Sequence, residues 1–278
     1  MQKKKVAIIF GGCSSEYEVS LQSAHAVISN IDNKKYEPLL IGITKEGRWY
    51  RYYGKITKIS DNTWHKDSVN CVEVVLSPNR GANELIEFKR NEIVRTVIDC
   101  AFPILHGKFG EDGTVQGLIE LAGIALVGCN TLSSALCMDK DRAHKIAAYA
   151  GIKIPKSIVI NKSDTKDEIV IKAQKLKFPL FIKPVKAGSS FGISKITNIK
   201  HLEQAVINAF LYDDEVIIEE NIDGTEVGCA VLGNDELIVG KVDEIELAGG
   251  FFDYDEKYTL KTSKIHMPAR VDEKTEER

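Results

Sequence analysis

KVAIIFGGCSSEYEVS, residues 5–20, sets a continuous apolar run, Val6 through Phe10, directly before Gly11 and Gly12. The run is too short for a signal-peptide core or a membrane span and fits a fully buried strand. Beyond the glycines, Val19, Ala24, Val27, Ile28 and Ile31 recur at helical spacing, and residues 36–44 read as a second strand. A strand, a glycine turn, a helix and another strand make the opening of a parallel sheet, here expected to carry its helices on one side. Residues 47–77, aromatic and polar without a clear period, read as an irregular insertion on that sheet. Residues 97–102, 113–122 and 124–127 give a further strand–helix–strand set.

A small-residue turn over 129–140 leads into a helix over 142–150, and Pro155 opens a new unit. There the pattern predicts strands at 157–160, through Phe181-Ile182-Lys183, at 192–196 and at 215–219, with helices over 163–176 and 199–210. A third, β-rich region runs from 224 to 271. The chain has 278 residues, 44% hydrophobic and 28% charged, with a net charge of −3. That is the profile of a soluble globular protein with material for more than one core. No basic stripe points to nucleic acid and no cationic amphipathic helix to a membrane surface. Six cysteines lie scattered without CxxC spacing, as expected of reduced thiols in a cytoplasmic protein.

Five segments carry the chemistry. In GGCSSEYEVS, from Gly11, glycines let backbone N–H groups approach a ligand, and Glu16 stands at a helix start; a plain glycine turn with an acid in the first turn fits equally. In HGKFGEDGTVQG, from His106, glycines surround a histidine and an acidic pair after a strand, the edge where α/β sheets bind ligands. In FPLFIKPVKAGSSFG, from Phe178, a strand delivers Lys183 and a Gly-Ser-Ser loop follows, suited to gripping polyphosphate although no Walker A order is present. In VIIEENIDGTEVG, from Val216, Glu219, Glu220 and Glu226 flank a turn, as hydrogen-bond acceptors or as solvated charges. GGFFDYDEKYTLKTSK, from Gly249, is a glycine-led segment of the kind that forms a mobile lid.

In this order the segments resemble the D-alanine–D-alanine ligase family of ATP-grasp enzymes of peptidoglycan synthesis. HGxxGEDGxxQG, MDK, KPxxxGSSxG, IEE…GxE and FxDYxxKY form a specific series that spans nearly the whole chain. The resemblance implies an α/β, three-domain ligase: an N-terminal parallel-sheet substrate domain (1–139), a central ATP-grasp domain (140–226) and the start of a C-terminal one (227–278), with a lid at about 249–263. It implies catalytic roles for Glu16, Ser189 and Tyr258, with Glu16 holding the ammonium of the first D-amino acid and Ser189 linking it to the lid tyrosine. His106 and Phe252 would bind substrate. Lys140, Lys183, Lys257 and Ser190 would hold ATP phosphates, and Glu219, Glu220, Asn221, Ile222 and Glu226 the adenosine.

ATP and Mg2+ or Mn2+ are the implied cofactors, D-alanine and a second D-amino acid the substrates, and a homodimer the implied assembly. The oxyanion arginine and the carboxylates and asparagine that hold two metal ions are expected beyond Arg278, so the chain reads as part of a longer enzyme. Asp272, Glu273, Glu276 and Glu277 are a polar helix start and no metal ligands. Tyr258 resembles dipeptide-forming members, where depsipeptide-forming ones carry histidine. Phe252 resembles the D-alanine–D-serine ligases of vancomycin resistance. A housekeeping D-alanine–D-alanine ligase and a non-catalytic ATP-binding module are the alternatives.

Overall fold

The computed structural model describes residues 2–246 and 264–276. The chain forms two compact units, one of residues 1–154 with 185–188, the other of residues 155–184 and 189–278.

Unit 1 is built on a sheet in the order β6-β5-β4-β3-β2-β1-β7-β8. Its parallel half comprises β1 (Lys4–Gly11), β2 (Tyr36–Ile43), β7 (Cys100–Leu105) and β8 (Ala125–Leu126). Along β1, Val6, Ile8 and Phe10 pack with Tyr17, Leu21, Ala24 and Ile28 of α1 (Tyr17–Asn30). Ala7 and Ile9 face the opposite way, toward Val115, Ile119 and Ala122 of α3 (Thr114–Ala122). The apolar run therefore has no alternation because both faces of the strand are covered. Helices lie on both sides of this sheet, not on one as the sequence suggested.

The other half is antiparallel and corrects the reading of 47–77 as irregular. Strands β3 (Trp49–Tyr52) and β4 (Cys71–Leu76) belong to the sheet, and β5 (Glu84–Lys89) and β6 (Glu92–Val97) extend it. Between β3 and β4 a short turn of helix, α2 (Thr57–Ser60), and two 3-10 turns carry Trp64 inward. A Cβ on Gly42 would stand 2.3 Å from the Trp64 ring, so glycine makes room for it. The strand expected at 97–102 is β7, shifted toward the C-terminus. The turn expected at 129–140 contains α4 (Thr131–Met138), whose N-cap Asn130 accepts the Ser133 N–H. Helix α5 (Lys140–Tyr149) follows, capped by Asp139.

Unit 2 has a four-stranded antiparallel sheet in the order β11 (Ser194–Ile196), β10 (Leu180–Pro184), β12 (Glu215–Glu220), β9 (Ser157–Asn161). Helices α6 (Lys166–Ala173) and α7 (Leu202–Ala209) cover one face, burying Leu180 and Ile182 of β10 with Val216 and Ile218 of β12. Alternation along the strands turns Phe181, Lys183, Ile217 and Glu219 to the other face. Short strands β13 (Glu226–Gly228), β16 (Asp243–Glu246) and β17 (Lys264–His266) form a three-stranded sheet, and β14 (Val231–Gly233) and β15 (Leu237–Val239) pair beside them in sequence. A final turn of helix, α8, spans Glu273–Glu276.

Candidate active site

The register of unit 1 levels its three central strands. Gly11 pairs with both Ile43 and Leu105, so the loops leaving β1, β2 and β7 emerge at one carboxyl edge. Because β1 lies between β2 and β7, this edge is the switch point where open α/β sheets form ligand crevices. Gly11 and Gly12 have φ of +88° and +101°, and the Gly12 N–H donates to Ile43 O. That turn delivers Glu16 to the N-cap of α1, where its side chain is 3% exposed.

The loop after β7 meets it. His106 follows the strand's last residue directly, and its Nε2 lies 3.0 Å from Ser23 Oγ of α1. Gly107, at φ +70°, presses against the Glu16 carboxylate: a Cβ there would stand 2.2 Å from Glu16 Oε2 and 2.7 Å from Ser14 Oγ. A Cβ on Gly188 would likewise stand 2.8 Å from the same oxygen. Two glycines thus allow backbone to close over a buried acid. Further along the loop, the Phe109 N–H donates to Asp112 Oδ2 and Gln116 Nε2 donates to Gly110 O, which fixes the turn into α3. One polar atom each of Glu16, His106 and Glu111 lies within 4.8 Å of the others. A largely apolar cavity of about 260 Å³ adjoins His106, bordered by Gly12, Cys13, Trp49, Leu105 and Leu118.

Lys140, at the start of α5, donates from Nζ to Ala187 O at 2.7 Å and to Val185 O at 3.3 Å. It therefore holds the segment that leads into the Gly-Ser-Ser loop. Ser189 and Ser190 have φ of +46° and +61°, unusual for non-glycine residues.

In unit 2, Lys183 Nζ donates to Glu219 Oε2 at 2.5 Å, across the diagonal of β10 and β12. The Glu219 side chain is 4% exposed, so the pair is substantially desolvated. Lys183 and Lys195 each place Nζ 5.2 Å from the Phe181 ring centroid, which sets two cations against an aromatic ring on this side of the strands. Such a grouping can contact an anionic, planar ligand. Glu220 Oε1 accepts the Lys177 N–H, Asn221 Nδ2 donates to Asp223, Ile222 is exposed, and Glu226 lies on β13 opposite Ile245.

The structure thus brings Glu16 together with His106, and Lys183 with Glu219, as side-chain clusters of units 1 and 2. Phe252, Lys257, Tyr258 and the lid segment lie outside the described residues. Glu111 and Lys195 were not singled out from sequence. Glu111 was visible as half of the acidic pair, whereas Lys195 joins Phe181 only through the register of β10 and β11.

Two family models match the chain: D-ala D-ala ligase N-terminus over residues 5–129 and D-ala D-ala ligase C-terminus over residues 146–278. A D-alanine–D-alanine ligase of Caldicellulosiruptor bescii is 45% identical over 98% of this chain and 74% of its own length. The vancomycin B-type resistance protein VanB of Enterococcus faecalis is 46% identical over 91% of this chain and 70% of its own. Among solved structures, the VanG D-Ala:D-Ser ligase of Enterococcus faecalis superimposes with a TM-score of 0.87 at 57% identity, covering 100% of this chain and 80% of that one.

Proposed function

From a chain that belongs to the D-alanine–D-alanine ligase family, as an ATP-dependent ligase, we infer a substrate pair: D-alanine first, and D-serine in preference to D-alanine second. The observation that carries the first half is the buried Glu16 carboxylate, enclosed by Gly107 and Gly188 at the carboxyl edge of the parallel strands. A carboxylate at this edge suits the ammonium of an amino acid, which brings a positive charge and three hydrogen-bond donors. The second half is supported by the 57% identity to the VanG D-Ala:D-Ser ligase and by Phe252.

In this reading the first amino acid's carboxylate takes the γ-phosphoryl group of ATP. The second amine attacks the resulting acyl phosphate, and phosphate leaves. Glu16 orients the first ammonium, His106 borders the same pocket, and Ser189 and Tyr258 complete the catalytic set, with Phe252 beside the second substrate. Lys183 keeps Glu219 as one partner and offers its remaining ammonium protons to phosphate oxygens. Lys140, Lys257 and Ser190 add phosphate contacts, while Glu219, Glu220, Asn221, Ile222 and Glu226 line the adenosine side. The three-part division at 139/140 and 226/227 belongs to the same proposal.

Mg2+ or Mn2+ would neutralise phosphate charge. Among the described residues the group of three metal-ligating side chains, Glu16, His106 and Glu111, sits in the proposed ammonium pocket. Among the described residues of unit 2, no group of three such side chains offers that ion a site. The reading also places the protein in the cytoplasm as a homodimer that modifies peptidoglycan precursors toward vancomycin resistance. Among the described residues no helix is long and apolar enough to cross a membrane.

A competition assay with ATP, D-alanine and equal D-serine is the test. Mainly D-Ala–D-Ser is expected. Mainly D-Ala–D-Ala would instead favour a housekeeping ligase, the reading supported by the 45% identity to the Caldicellulosiruptor bescii enzyme.

A further inference from the structure

Glu111 lies in the loop after β7, and nothing in the roles assigned so far uses it. Its Oε2 accepts the Gly107 N–H at 2.7 Å, while its own N–H donates to Gly107 O at 2.8 Å. The residue therefore closes the loop on Gly107 from both sides. Gly107 is the residue whose Cα presses on the Glu16 carboxylate. The same side chain brings a second carboxylate close to Glu16, since one polar atom each of Glu16, His106 and Glu111 lies within 4.8 Å of the others. The two carboxylates lie near enough for one cation to interact with both.

Resting on the ligase reading, we propose that Glu111 is a positioning residue for the ammonium of the first D-amino acid. It holds Gly107 in the left-handed turn that fits beneath Glu16, and its negative charge makes the pocket selective for a cation. The Ser23 hydroxyl fixes the His106 ring beside this pair, so the imidazole defines one wall of the same pocket. Glu111 is exposed and borders a second cavity, of about 370 Å³, together with Gln116, Ser133 and Ser134. It is thus in contact with solvent while Glu16 is buried. The division of labour follows: the buried acid binds, and the exposed acid sets the geometry and the field.

Charge and shape are separable by substitution, because Gln keeps an oxygen that can accept the Gly107 N–H. On the full-length enzyme, Glu111→Gln is expected to raise the KM for the first D-amino acid about tenfold, the scale of one lost charge-assisted interaction. The kcat and the KM for ATP should stay within about twofold on the same reasoning. Glu111→Asp keeps the charge but is one methylene shorter toward the Gly107 N–H; if the Gln variant does not fold, an Asp variant whose KM for the first D-amino acid lies nearer the parent's than that of Glu111→Ala supports the proposal, and one equal to the Ala variant's overturns it. A Gln variant with parental KM, beside an impaired Glu111→Ala, would mean that Glu111 is structural only and would overturn the proposal while leaving the ligase reading intact. Absence of D-alanine-dependent ADP formation by the parent enzyme would overturn both.

Discussion

At the scale of single residues, the site is defined as much by missing Cβ atoms as by charged groups. Gly107→Ala would place a methyl 2.2 Å from Glu16 Oε2 on a backbone held at φ +70°. The backbone conformation alone costs about 1–2 kcal/mol for a residue with a Cβ, and displacement of the carboxylate adds to it. The expected outcome is a lower unfolding midpoint and a KM for the first substrate raised by about tenfold or more, with the KM for ATP little changed. Lys183 gives the complementary case. Replacing it by Ala leaves Glu219 buried without that ion pair, which destabilises by about 3–5 kcal/mol if the charge is retained. Loss of a phosphate contact should weaken nucleotide binding by about 1.5–3 kcal/mol. Denaturant unfolding and nucleotide titration of the variant measure the two effects. Parental affinity would remove Lys183 from the phosphate site.

At the scale of elements, β16 carries a carboxylate, Glu244, whose titration is set mainly by one neighbour. Arg270 donates to Glu244 from its backbone N–H, Nε and Nη2, at 2.7–3.1 Å, and holds the carboxyl down to about 2 from an ordinary 4.5. A depressed carboxyl stabilises the fold fully above its unfolded pKa, and the contribution is lost as pH falls through the folded value. Arg270→Gln should therefore be less stable than the parent at neutral pH, with the difference shrinking between about pH 4.5 and 2. Acid titration followed by circular dichroism checks this; a difference that stays constant across that window would contradict it.

The elements also show what the sequence could reveal. Strands β1, β2, β7 and β10 were legible because apolar runs ended at glycine or lysine motifs, and β12 because its run ends at an acidic pair. Strand β5 was missed because Glu87 lies on its buried side with Leu85, masking the alternation, and Glu87 is satisfied there by the Tyr53 hydroxyl. In α4, of sequence TLSSALCM, Ser134 is buried while Leu132 is 67% exposed, so no apolar stripe marks the helix. Glu16, His106 and Lys183 could be found from motif order alone. Glu111 required the turn at Gly107, a backbone conformation that no residue count displays.

At the scale of the whole molecule, the chain crosses between its units at 154/155, 184/185 and 188/189. Residues 185–188 thus belong to unit 1 although unit 2 precedes and follows them in sequence. Lys140 is a reason for this: its backbone N–H donates to Val185 O, and its Nζ to Val185 O and Ala187 O. A lysine that resembles a phosphate ligand is here also the anchor of the segment leading to Ser189 and Ser190. Both roles draw on the three protons of one ammonium. They also make a prediction that separates them. Lys140→Met retains much of the side chain's length and the backbone N–H bond to Val185 O, but its side chain can donate to neither carbonyls nor phosphate. Amide exchange over 185–190 should quicken in the ligand-free variant, and nucleotide affinity should fall by about 1.5–3 kcal/mol, or roughly ten- to a hundredfold. Added nucleotide should slow exchange in this segment of the parent and do so less in the variant, since the anchor and the phosphate contact are lost together. Weaker nucleotide binding with unchanged ligand-free exchange would leave Lys140 a phosphate ligand but not an anchor, and faster exchange with parental affinity would reverse that assignment.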